Sequence, residues 1–315
     1  MKLYVSSNSI GPAEQAELRT LLPADDVCIA NFDSLSEADR RAFLEADAVL
    51  GTAPVDLLPA AHRLRWIQFT SVGIDGYRQT DWSKYAGQIT CTNLRGILAD
   101  PMAQTILGGL LALNRGVEQL AALKPKRDWQ KMVLFPQLQV IHGAHVLLLG
   151  AGSVNQRLRE LLTPYHCRFT VYARTSGDIH TPAELDAVLP TADIVSAALP
   201  DTPGTRDLLN AARIARFKPT ALFANVGRGS LVDEAALIAA LQTGRLRGAV
   251  IDVTRREPLP PDDPFWTCPR TILTQHTSGG SNLVSPDVVG VFKTNLARYR
   301  AGQPLLNVVD WAKGY

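Results

Sequence analysis

Apolar positions along this chain alternate between short runs and helical spacings. Lys2–Ser6, Val27–Phe32, Ala48–Gly51 and Arg65–Phe69 each read as a strand. Pro12–Leu22 has helical spacing, with Ala16, Leu18 and Leu22 near one face. Ser36–Ala46 is predicted as a second helix with Ser36 as its N-cap, since the hydroxyl can accept an unpaired first-turn N–H. Alternating elements of this kind predict a small α/β unit over about the first 95 residues.

The pattern then changes. Ala99–Arg115 is long, helical and apolar on most faces, so it is predicted to be buried. Residues 124–142 are irregular and mix exposed charges, two prolines and large apolar side chains. Such a segment suits packing on a partner, or a plain surface connection. Ala144–Leu149 is an apolar run without alternation, as expected of a parallel strand covered on both faces. Further runs follow at Phe169–Tyr172, Ile194–Ala197, Ala221–Asn225, Ala249–Val253 and Thr271–Thr274. Helical patterns at Val154–Leu162, Thr181–Leu189 and Glu234–Thr243 separate most of them. Strands joined by crossover helices predict a second, doubly wound α/β unit.

Composition narrows the class. The chain has 315 residues, enough for two domains, with 46% apolar and 20% charged residues and a net charge of +2. Acidic and basic residues are interspersed, so neither a nucleic-acid groove nor a membrane-surface patch is expected. Cys28, Cys91, Cys167 and Cys268 are far apart and form no C-x-x-C pair, so no metal site and no disulfide framework is expected. No apolar run of about 18 residues suggests a membrane span, and no secretory leader is recognisable. A cytoplasmic protein is expected.

The run ending at Leu149 leads straight into Gly150-Ala151-Gly152-Ser153-Val154-Asn155. These are the first two glycines of G-x-G-x-x-G. Gly150 permits a tight turn and Gly152 lets a diphosphate approach the backbone. The phosphates would meet the unpaired N–H groups of the helix opening at Ser153 and Val154. Asn155 replaces the third glycine, which normally allows close helix–strand packing. The next strand ends in Ala173-Arg174-Thr175-Ser176 with no acid at its tip. A guanidinium flanked by hydroxyls suits a 2′-phosphate, so Arg174 and Thr175 favour NADP(H) over NAD(H). A strand–turn–helix without nucleotide, or an S-adenosylmethionine site, has the same local pattern.

Three later segments each place a polar residue just past a predicted parallel strand. They are Asn225–Asp233 with Arg228, Gly248–Pro260 with Asp252 and Glu257, and Thr274–Gly279 with His276. Ligands bind at that carboxyl edge of open α/β sheets. Singly, Arg228 reads as a surface charge, Glu257 as a loop carboxylate and His276 as a buried histidine. Together, in this order and downstream of the glycine turn, they no longer read as three unrelated residues.

With these segments, Ser71–Tyr77, Cys91–Gly96, Leu199–Asn210 and Arg298–Asp310, most of the chain resembles the D-isomer-specific 2-hydroxyacid dehydrogenase family. The subgroup suggested is the glyoxylate/hydroxypyruvate reductases. The resemblance implies a nicotinamide-dependent oxidoreductase interconverting small 2-oxo acids and D-2-hydroxy acids. Arg228 would grip the substrate carboxylate and polarise the 2-oxo group. His276 would give its proton to the carbonyl oxygen, and Glu257 would bond the other ring nitrogen and favour the imidazolium. Backbone N–H groups at Val72 and Gly73 would bind the substrate carboxylate. Asp252, Leu199, Pro200, Thr205, Val226, His276 and Ser278 would join the glycine turn in binding cofactor.

The resemblance also sets the domain map. Two Rossmann-like domains with parallel sheets are implied. Residues 1–97 and 284–315 form a flavodoxin-like substrate-binding domain, and residues 98–283 form the NAD(P)-binding domain. The helix near Asp287–Ala301 would return to the first domain, and the two crossings form a natural hinge. A homodimer is implied, with residues 124–142 as the candidate arm. Three departures stand out: Asn155, Gln275 where the family usually has Pro, and Gln104-Thr105 for its usual Glu-His pair. Asn155 and Gln275 leave a second reading open, a catalytically weak NAD(P)-sensing protein on the same fold. A methyltransferase has no use for the His276–Glu257 pair.

Overall fold

Parallel strands run through both halves of the computed structural model, which describes residues 1–6, 8, 10–23, 26–31 and 34–313. The chain divides into two units, Met1–Leu98 with Ser281–Tyr315, and Ala99–Gly280. Leu98 and Ser281–Leu283 fall on the side of the first unit.

In the first unit β1 (Leu3–Ser6), β2 (Val27–Ile29), β3 (Ala48–Gly51), β4 (Trp66–Gln68) and β5 (Thr90–Thr92) pair in the order β2-β1-β3-β4-β5. All pairs are parallel. This is the flavodoxin-like order. Both faces are covered. Tyr4, Val49 and Ile67 pack with Phe43 and Phe69 on one side, and Leu3, Val5, Leu50 and Trp66 pack on the other. The helix Val284–Arg300 seals that second face, where Phe292 stacks on Trp66 with ring centroids 5.0 Å apart. Asn295 of the same helix donates to the buried Gln68 Oε1 at 3.0 Å. Those two contacts explain why the C-terminal helix belongs to the N-terminal sheet. The Ser36 cap is present as a full capping box with Asp39. The second expected strand is shorter than predicted, and Phe32 lies outside the described residues. β5 was not anticipated, because a three-residue run rich in threonine has no apolar signature.

In the second unit β6 (His145–Leu149), β7 (Arg168–Tyr172), β8 (Ile194–Ala197), β9 (Leu222–Asn225), β10 (Gly248–Ile251) and β11 (Thr271–Leu273) pair in the order β11-β10-β9-β8-β6-β7. Again every pair is parallel. The chain steps from β6 outward to β7, then returns past β6 to β8. That reversal opens a crevice at the carboxyl ends of β6 and β8. The helix Ala99–Asn114 buries the face carrying Ala103, Ile106, Leu110 and Leu113 and leaves Gln104 and Gly108 exposed, and Gly109 explains how closely it packs. A Cβ there would come within 2.5 Å of a Val250 methyl on β10. An unpredicted helix, Val117–Leu123, follows Gly116, whose φ is +62°. Among the described residues no helix is long and apolar enough to cross a membrane.

Candidate active site

β9, β10 and β11 are neighbours, so the loops leaving their carboxyl ends stand side by side. Arg228, Glu257 and His276 each sit on one of these loops. His276 Nδ1 lies 2.6 Å from Glu257 Oε2. Glu257 Oε1 accepts the Thr254 N–H at 2.9 Å, so the carboxylate is aimed from both of its oxygens. Both side chains line an open cleft of about 430 Å3 whose apolar wall is Ile251, Pro258, Leu259, Trp266 and Leu273. Arg228 stands one strand further along and is not among the cleft residues.

Backbone contacts hold these loops together. Gly229 meets the β10 loop so closely that a Cβ would fall 2.0 Å from the Thr254 carbonyl carbon. Gly227 approaches the Leu199 carbonyl in the same way, at 2.7 Å. Asn225 accepts the Gly227 N–H and donates to the Arg228 carbonyl, each at 3.0 Å, which fixes the backbone on both sides of Arg228. Glu234 accepts the Arg255 N–H at 2.6 Å and steadies the turn that carries Glu257. Burial pushes the Glu234 carboxyl above its ordinary range, against that stabilising N–H.

The His276 loop is built on Asp252, which is buried at the end of β10. The Asp252 carbonyl accepts the His276 N–H at 2.6 Å. Its Oδ1 accepts the Thr274 hydroxyl at 2.6 Å and the Ser278 N–H at 3.1 Å, and its Oδ2 accepts the Ser278 hydroxyl. Asp252 and Ser278, both expected at the cofactor, thus brace the histidine loop. Thr274 is a member of this brace that sequence reasoning missed, because its partner is 22 residues away. Gln275 and His276 have φ of +52° and +58°, successive left-handed residues. A proline ring fixes φ near −65°, so the family's usual Pro could not follow this backbone path at position 275.

At the crevice, Gly150 has φ +108°, and a Cβ on it would lie 2.9 Å from the Ala198 carbonyl oxygen. Gly152 caps the helix Ser153–Leu162, and a Cβ there would meet nothing within 4 Å. A tight glycine turn, then an open glycine, then unpaired first-turn N–H groups at Ser153 and Val154 fit a dinucleotide diphosphate. Arg174 and Thr175 are exposed beyond β7. Leu199 and Pro200 lie beyond β8, and the Thr205 hydroxyl donates to the Pro200 carbonyl at 2.6 Å, shaping that loop. Val226 is buried at the end of β9. In the first unit, Val72 and Gly73 lie on the loop after β4. Their carbonyls accept from Asn93 Nδ2 at 3.1 Å and Ser71 Oγ at 2.7 Å.

A doubly wound unit with a glycine turn and a His–Glu pair at the same sheet edge suits a dinucleotide-dependent oxidoreductase. Residues 107–278, more than half of the chain, match the family model for the D-isomer specific 2-hydroxyacid dehydrogenase NAD binding domain. The chain belongs to that family. A glyoxylate/hydroxypyruvate reductase B of Citrobacter koseri is 28% identical over 288 residues, 87% of each chain. A D-isomer specific 2-hydroxyacid dehydrogenase family protein from Aeromonas salmonicida is 30% identical. Its crystal structure superposes with a TM-score of 0.82 over 98% of this chain and 99% of its own. An NADPH-dependent glyoxylate/hydroxypyruvate reductase from Sinorhizobium meliloti, solved with NADP and sulfate, is 25% identical. It superposes with a TM-score of 0.83 over the full length of both chains.

Proposed function

We propose that this chain reduces small 2-oxo acids of the glyoxylate or hydroxypyruvate type to D-2-hydroxy acids, with NADPH preferred over NADH. The observation that carries the reading is the His276–Glu257 contact at the carboxyl edge that also holds Arg228 and the glycine turn.

The residues divide the work as follows. A nicotinamide dinucleotide, when bound, supplies the hydride. Gly150, Ala151, Gly152, Ser153 and Val154 hold its diphosphate, and Arg174 with Thr175 meets the 2′-phosphate. Leu199, Pro200, Thr205, Val226, Asp252 and Ser278 complete the cofactor's surroundings, Asp252 and Ser278 also bracing the loop. Arg228 binds the substrate carboxylate in a bidentate fork and draws charge from the 2-oxo group, with Val72 and Gly73 offering N–H groups to the same carboxylate. His276 gives its proton to the carbonyl oxygen, and Glu257 holds the ring in the orientation for that transfer. Residues 1–97 and 284–315 serve substrate, and residues 98–283 serve cofactor.

Two further readings belong to this proposal. The protein is a homodimer that uses residues 124–142 as its arm. Trp129, Met132 and Phe135 are 88%, 82% and 70% exposed, and side chains of that size rarely face water together without a partner. It works in the cytoplasm, which its four unpaired thiols suit.

A panel of 2-oxo acids, each offered with NADPH and with NADH, tests the activity. Glyoxylate or hydroxypyruvate should drive the fastest NADPH oxidation. Binding of either cofactor without turnover on any 2-oxo acid would remove the enzymatic reading and favour cofactor sensing.

A further inference from the structure

Asn155 departs from the glycine fingerprint, and the structure gives it partners that a glycine could not have. It lies in the first turn of the helix Ser153–Leu162 and is 1% exposed. Its Nδ2 donates to the Leu149 carbonyl at 3.0 Å and to the Gly150 carbonyl at 2.8 Å. Its Oδ1 accepts the hydroxyl of Ser196, a fully buried residue of β8, at 2.9 Å. The side chain therefore joins the tip of β6, the glycine turn, the cofactor helix and β8.

Gly150 is held from both sides as a result. Its N–H donates to the Tyr172 carbonyl of β7 at 2.9 Å, and its carbonyl takes the Asn155 amide. The Leu149 carbonyl has a second donor, the Ala198 N–H at 3.0 Å, but the Ser196 hydroxyl points into a buried space where Asn155 is its acceptor. A fingerprint glycine brings helix and strand together by having no side chain. Here the same gap is filled by a carboxamide whose bonding groups are satisfied.

We propose that Asn155 is a positioning residue for the diphosphate-binding turn and that Ser196 anchors it. The proposal rests on the NAD(P)H-dependent reading above. It carries an unusual consequence: restoring the fingerprint glycine weakens cofactor binding. Asn155→Gly removes the donor to the Gly150 carbonyl, leaves the buried Ser196 hydroxyl without its acceptor and frees the helix start. Asn155→Asp is worse, because a carboxylate oxygen would then face two carbonyl oxygens.

The test compares NADPH binding to the full-length wild type, Asn155→Gly, Asn155→Asp and Ser196→Ala. 2′-Phosphoadenosine, which lacks the diphosphate, is the second probe. Asn155→Gly is expected to weaken NADPH roughly tenfold, the scale of one or two buried hydrogen bonds, and Asn155→Asp more. Ser196→Ala, read on its own if the other variants fail to fold, is expected to weaken NADPH about threefold. 2′-Phosphoadenosine affinity and kcat at saturating NADPH should stay near wild type. Equal or tighter NADPH binding by Asn155→Gly, or parallel loss of both probes, overturns the proposal. Wild-type protein that binds neither NADPH nor NADH overturns the underlying reading instead.

Discussion

His276 and Glu257 form a direct pair, Nδ1 to Oε2 at 2.6 Å, across the loops that leave two adjacent strands. Both residues are exposed, so the ring remains reachable by a substrate from the cleft. Its geometry is set elsewhere, by Thr254 on the Glu257 side and by Asp252 on the His276 side.

The proposed preference for NADPH rests on Arg174. Arg174→Ala should raise the KM for NADPH roughly 10–100-fold, as loss of a charged hydrogen bond does, and leave the KM for NADH nearly unchanged. Steady-state kinetics with both cofactors read this directly. Equal effects on both would assign Arg174 to adenine or to solvent instead.

Gln275 marks where this chain leaves its family's pattern. At φ +52° it occupies a backbone region closed to proline. Gln275→Pro, although it installs the family's usual residue, should destabilise the fold by more than about 1 kcal/mol and lower kcat. Denaturant unfolding alongside activity checks both effects. Unchanged stability would mean that the loop readily takes another path.

Much of this site could be read from the chain because its motifs are local. The β6 run, the glycines at 150 and 152, and the three late segments each span no more than 13 residues. What stayed hidden depends on partners far apart in sequence. Asn155 looked like a defect until Ser196, 41 residues on, supplied its acceptor bond. Asp252 and Ser278 read as cofactor contacts, and their mutual bond 26 residues apart shows only in the fold. β5 stayed hidden for another reason. It is three residues long, and its register with β4 comes from the sheet rather than from an apolar run.

The arm offers a solution test. Replacing Trp129 and Phe135 together with Ser should shift the protein from dimer to monomer in sedimentation velocity at micromolar concentration. The substitution removes two exposed aromatic anchors of the segment, the side-chain type that dominates such contacts. A dimer that survives the double substitution places the interface elsewhere.

Glu234 supplies a pH signature of stability. Its folded-state carboxyl is raised by burial, so its charged form opposes folding. The group costs nothing below the unfolded carboxylate pKa, and the full penalty is present once pH rises through the raised folded value. Glu234→Gln keeps an oxygen for the Arg255 N–H. It should therefore raise Tm at neutral pH, with the gain vanishing in acid. A gain that persists unchanged at acid pH would contradict this origin.

The central claim is that His276, held by Glu257, is the proton donor for reduction of a 2-oxo acid. The most direct measurement is turnover of hydroxypyruvate with saturating NADPH by wild type and His276→Ala, with NADPH affinity measured on the same samples. A kcat loss of about 10²–10⁴-fold is expected, the usual worth of a general acid, with NADPH affinity within about threefold of wild type. A variant that keeps wild-type turnover contradicts it.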